Sequence, residues 1–156
     1  MSFTLVSPVT GAPVVGYLTS PTYTLALDSI AGAGLSKQYV VTSLGGTQTD
    51  VSTHSASSPF AVSMTRPAKF KGLSPLNASG QLPGVPRNVW KMIMAKGATP
   101  FTGQSPVNFL IRTELSVPAG VDVTDPNELA AGISLYGGIF NAYAKDIVES
   151  LRYGIL

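Results

Sequence analysis

The chain has 156 residues, no cysteine, one histidine and only 12% charged residues against 44% hydrophobic ones. That length fits a single domain, residues 1–156, with a real core; the lack of cysteine excludes disulfides and thiolate metal sites; and a charge share about half that of an ordinary soluble domain points to surface buried in an assembly. The formal net charge of +2 is unevenly spread, because no acid lies between Val51 and Thr113 while Arg66, Lys69, Lys71, Arg87, Lys91, Lys96 and Arg112 all do, a pattern that suits a polyanion and equally a scattered solvated surface.

Residues 3–6 and 14–18 read as the strands of an N-terminal hairpin, with turn composition between them. Tyr23, Leu25 and Leu27 alternate with polar neighbours, and residues 30–34 form a loop. The next strand, 37–44, is rich in β-formers and ends at Gly45-Gly46. Residues 47–58 are a Ser/Thr-rich loop holding His54, read as a solvated loop residue because no acid or glycine motif surrounds it. Alternation resumes with Phe60, Val62 and Met64 inward and stops at Pro67. A long Pro/Gly/Ser-rich connection follows to Pro86. Residues 87–95 read as a strand with Trp90, Met92 and Met94 inward, and 97–106 as a loop. No run of eighteen apolar residues marks a membrane span, and no basic start with an apolar run marks a signal peptide.

Residues 107–118 are the strongest strand signal. Val107, Phe109, Ile111, Thr113, Leu115 and Val117 fall on one face, Asn108, Leu110, Arg112, Glu114 and Ser116 on the other. Pro118 ends the ladder. Asp125-Pro126-Asn127-Glu128 then has the order of a helix start: capping side chain, proline, and a glutamate three residues after the cap. Leu129, Ile133, Tyr136 and Phe140 recur at helical spacing, and Gly137-Gly138 is expected to break or kink the helix. A second helix carries Tyr143, Ile147, Val148 and Leu151 inward and ends at Gly154.

Seven strands followed by two helices indicate an α+β fold, an antiparallel sheet over 1–118 and a two-helix part over 124–153. Helices on one sheet face leave the other free. Parity places Thr42, Ser63, Thr65, Lys91, Asn108, Leu110 and Arg112 on that free face. The set is a credible nucleic-acid platform and equally a plain solvated face. No P-loop or dinucleotide glycine pattern is present, and Glu114 is the one acid expected on the free face, where a carboxylate pair needs two. No enzyme, cofactor, metal site or small-molecule substrate is expected.

The order of elements, with Arg112-Thr-Glu-Leu-Ser-Val-Pro118, then Thr124-Asp-Pro-Asn-Glu-Leu129, two helices and a terminal Arg152-Tyr-Gly-Ile-Leu156, resembles the coat proteins of single-stranded RNA bacteriophages, the levivirus type. The pair Gln38-Tyr-Val-Val-Thr42 and Ser63-Met-Thr-Arg-Pro67 resembles the family's central hairpin. The resemblance implies an interlocked homodimer with one continuous sheet and crossed helices, assembled in the bacterial host cytoplasm into an icosahedral T=3 shell, a virus-like particle when expressed alone. It implies a dimer interface along Leu129, Ile133, Tyr136, Phe140, Tyr143, Ile147 and Leu151. It also implies genomic RNA on the inner sheet face, and in many members an operator hairpin whose binding represses translation. Carried over, the RNA contacts fall at Thr42, Ser63, Thr65 and Arg112; charge and parity add Lys91, and parity adds Asn108. The stretch 68–106 is longer than the family's usual connection, and 87–95 is either a main-sheet strand or part of an enlarged loop. Two other readings share these features: a dimeric RNA-binding regulator that forms no shell, and a β-rich phage or surface protein without nucleic acid.

Overall fold

The computed structural model describes residues 3–28 and 34–156. Its centre is a six-stranded antiparallel meander, β1 (Val9–Thr10), β2 (Thr19–Asp28), β3 (Ser36–Thr47), β4 (Phe60–Thr65), β5 (Arg87–Ala98) and β6 (Val107–Pro118), each strand paired with its neighbour in sequence. Three helices follow: α1 (Val121–Thr124), α2 (Pro126–Ala142) and α3 (Ala144–Tyr153). Strands come first and helices last, as the periodicities require. Residues 87–95 lie in the main sheet, since β5 pairs along its length with β6 and through Lys91–Lys96 with β4. The long connection is therefore 66–86, and the β5–β6 link is only 99–106. Most of the loop expected at 30–34 lies outside the described residues.

The N-terminal hairpin is not formed as expected. Residues 3–6 join no ladder, and 14–18 is a turn closed by a single Val14–Leu18 bridge. The strand is instead Val9–Thr10, against Tyr23 and Thr22. Residues 3–7 lie across the sheet, held by side chains rather than by a ladder. Phe3 packs edge-on against Tyr39 at 6.2 Å, the Leu5 amide donates to the Tyr39 hydroxyl, and the Leu25 amide donates to Ser7 Oγ at 2.8 Å. β3 also runs past its expected end. Gly46 sits at φ 73°, where a Cβ would collide with the Ser20 carbonyl, so glycine lets the strand pass this close to β2 instead of ending it.

One face of the sheet collects the apolar side chains, with Tyr39 and Val41 buried on β3. Tyr23 meets Phe60 there at 5.6 Å, and burial raises the Tyr23 pKa. The helix start follows the sequence signals. Asp125 caps α2 through the Glu128 amide, Pro126 opens the helix, and Gly154 ends α3 in the left-handed conformation. Asp125→Ala is expected to cost about 1 kcal/mol, read as a lower urea midpoint with an unchanged slope.

Gly137-Gly138 does not break α2, which continues to Ala142 and gives way at Tyr143. Glycine lowers helix propensity by about 1 kcal/mol but keeps its N–H, so the ladder survives between Leu135-Tyr136 and Ile139-Phe140. No residue of α2 or α3 is buried.

Candidate nucleic-acid interface

The strand registers decide which side chains share a face. Direct partners across the sheet run Thr65–Lys91–Glu114, then Gln38–Ser63–Ile93–Arg112, then Val40–Ala61–Ala95–Leu110, with Gly97–Asn108 beyond. Ser63, Thr65, Lys91, Asn108 and Arg112 therefore stand on one face, as parity placed them. The opposite face carries Val62, Met64, Trp90, Met92, Met94, Ile111 and Leu115, and there α2 lies near the sheet, with the Tyr136 hydroxyl 2.9 Å from Thr113 Oγ1.

Thr42 reaches the same open face by a different route. Val41 pairs with Leu25 and Ser43 with Thr24, so Thr42 is the extra residue of a β-bulge. Its hydroxyl donates to the Thr24 carbonyl at 3.3 Å. Thr65 and Ser36 share a hydroxyl contact of 2.8 Å, and Ser63 Oγ donates to the Ile93 carbonyl at 3.5 Å. Lys91, Asn108 and Arg112 are exposed.

The basic segment is divided rather than gathered. Arg87 lies on the open face and donates to Ser116 Oγ and to the Ser116 carbonyl. Lys96 points the other way, over the Phe60 ring at 5.0 Å, and donates to Ser52 Oγ and the Gly97 carbonyl; partial burial lowers its pKa. Arg66, Lys69 and Lys71 belong to the long connection. Acids also stand on the open face. Glu114 is directly across from Lys91, and Asp28 accepts from Gln38 Nε2 at 2.9 Å. Asp28 corrects the expectation that Glu114 stood alone. The two carboxylates are separated by the full span from β2 to β6, on the order of 19 Å at about 4.8 Å per strand, too far for a carboxylate pair.

Several further residues belong to this face. Ser36 and Gln38 share the parity that selected Thr42, and Arg87 shares that of Lys91; alternation alone would have found all three. His54 differs from its reading as a solvated loop residue. It is half-buried, its Nδ1 accepts from the Phe60 amide at 3.1 Å, and its own amide donates to the Val41 carbonyl. It pins the 48–59 loop to the sheet.

The helix residues singled out by spacing stand mostly clear of their own chain. Ile133, Tyr136, Phe140, Tyr143 and Leu151 are exposed, while Leu129 and Ile147 are half-buried. Leu129, Ile133 and Tyr136 bound an open cavity of about 680 Å³ whose other wall is Trp90, Leu115 and Val117. At the far end Arg152 donates to the Tyr17 hydroxyl at 2.7 Å, and that bond, with the neighbouring tyrosine rings, raises the arginine's pKa.

No protein-family model matches the chain, and no curated protein matches it either. A solved structure does: the virus-like particle of bacteriophage ESE020 is 41% identical, covers 99% of this chain and 100% of its own, and aligns with a TM-score of 0.93. The agreement spans sheet, long connection and helices alike. The chain belongs to the coat proteins of the levivirus-type bacteriophages and is a component of the virion capsid.

Proposed function

We propose that the chain forms an interlocked homodimer whose copies close into an icosahedral shell of T=3 type around single-stranded genomic RNA, assembled in the host cytoplasm. The RNA lies on the open sheet face. The observation that carries the RNA reading is the register that aligns Ser63, Thr65, Lys91, Asn108 and Arg112 on the face away from the helices. The particle formed by the ESE020 protein supports the shell. The dimer reading is supported by the apolar stripe on α2 and α3, where no residue is fully buried in its own chain and Ile133, Tyr136, Phe140, Tyr143 and Leu151 stay exposed.

The same face takes an operator hairpin and thereby represses translation. Tyr39, Phe60, Trp90 and Phe109 sit on the opposite face by register, so base stacking on an aromatic ring is not available on the described strands β3–β6. Discrimination then rests on hydrogen bonds from Asn108, Thr42, Ser63 and Thr65, and affinity rests on charge.

Arg112→Ala and Lys91→Ala are expected to weaken RNA binding and flatten its salt dependence. Each lost phosphate contact changes the log–log slope by about 0.7 to 0.9. Lys91→Ala also removes the positive charge directly across the ladder from Glu114, so its loss in affinity is expected to exceed that of one contact. Dimerisation should survive, because neither side chain points toward the helices. An unchanged slope in the double variant would move the RNA to Arg66, Lys69 and Lys71.

A further inference from the structure

A closed shell built from one kind of chain needs more than one interface. A two-fold pairing uses the same patch on both partners and closes on itself, so growth beyond a dimer needs a second surface on each subunit. We propose that the 66–86 connection, together with the adjoining α1, is that surface, and that its occupant is the same region of a second copy of this chain belonging to another dimer. The proposal rests on the shell reading above and deepens it.

The connection exposes Phe70, Leu73, Leu76, Leu82 and Val85, with Leu76 62% accessible. By contrast, the 99–106 link offers Phe101 as its exposed large apolar side chain. The apolar crest is held in a defined shape. Asn88, 2% exposed, accepts from the Lys71 amide and donates to the Lys71 carbonyl, each at 2.8 Å, so it fixes one end of the connection to β5. At the tip, Asn77 Oδ1 accepts from the Ser79 and Gln81 amides, and the Asn77 amide donates to the Gln81 carbonyl. Leu73 packs so closely on Gly120 that a Cβ there would collide with it. A shaped apolar surface loses little conformational entropy on docking, which favours its use in an interface.

Charge complementarity identifies the occupant. Residues 66–86 contain no acid, and Lys69 and Lys71 are exposed; Asp122 on α1 and Glu128 on α2 are exposed too. Among the described residues none of these four forms a salt bridge. The Leu73–Gly120 contact sets the basic edge beside the acidic one. A surface with opposite charges on adjoining edges is complementary to the same surface of a neighbouring dimer, the lysines of one chain meeting Asp122 of the next around the shell. The apolar crest is then covered between them. Nucleic acid suits this surface less well, because a phosphate backbone would leave the exposed Leu76 and Leu82 uncovered.

The test uses the full-length chain. Leu76→Ser with Leu82→Ser changes the crest while leaving the charge, the open face and the helices intact. The expected result is a dimer with unchanged RNA affinity whose threshold concentration for particle formation, by light scattering and electron microscopy, rises at least tenfold. Lys69→Glu with Lys71→Glu should raise the threshold similarly, and adding Asp122→Lys should bring it back toward wild type, a rescue that a merely damaged loop does not give. Assembly of the crest variant at the wild-type threshold, or a charge swap without rescue, would overturn the loop contact alone. Wild-type dimers that never form particles would overturn the shell reading and the loop contact with it.

Discussion

Removing residues 141–156 is expected to leave insoluble or unfolded protein, not a stable monomer. The segment includes α3 and the end of α2, and its side chains Tyr143, Leu151 and Tyr153 are more than half exposed in the single chain, Leu151 at 68%. Exposure on that scale means the stripe contributes little to its own subunit and is available to a partner. Phe140→Ala separates the two roles. Phe140 is 40% exposed and meets Tyr136 at 5.0 Å with the rings tilted by 47°, so the single chain leaves a large part of the ring for a partner to cover. Once a partner covers the ring, truncation costs about 3 to 5 kcal/mol, and in a symmetric dimer the loss occurs twice. Assembly should fail at concentrations where the wild type is dimeric. A folded, soluble monomer from the deletion, shown by light scattering and circular dichroism, would remove the basis for the interlocked dimer.

Asn88→Leu is expected to be the most damaging single change to the subunit itself. The side chain occupies a buried site and satisfies both backbone groups of Lys71. Leucine fills similar space but pairs with neither group, and an unpaired buried polar group costs about 1 to 3 kcal/mol. The expected loss is about 2 kcal/mol or more, seen as a lower urea midpoint at unchanged slope. An unchanged midpoint would mean that water replaces the asparagine at no cost. The variant should also loosen the 66–86 connection, so its particles should form less readily than its dimers.

The features legible in the sequence were those with a period or a cap. Alternation in 107–118 gave β6 its limits and both its faces, and Asp125, Pro126 and Glu128 located the start of α2. The parity of four strands then gathered the polar residues of the open face. Features depending on distant partners were not legible. Residues 3–6 have strand composition but are held by the Tyr39 ring and hydroxyl instead of a ladder. Gly45-Gly46 looked like a strand end, because nothing local shows that the Ser20 carbonyl approaches Gly46. Gly137-Gly138 reads as a break or kink because propensity sums ignore a helix already started and capped at Asp125. The site followed the same division. Thr42 was assigned by parity, but its bulge depends on β2, and the diversion of Lys96 to the covered face follows from its place beside Met92 and Met94. The separation of Asp28 from Glu114 needed the strand order.

The most direct test of the account is electron microscopy of the protein expressed alone in bacteria and purified without added RNA, with the absorbance ratio of the same fractions. Closed spherical particles that contain host RNA are the predicted result. Soluble monomers at high concentration, free of nucleic acid, would contradict it.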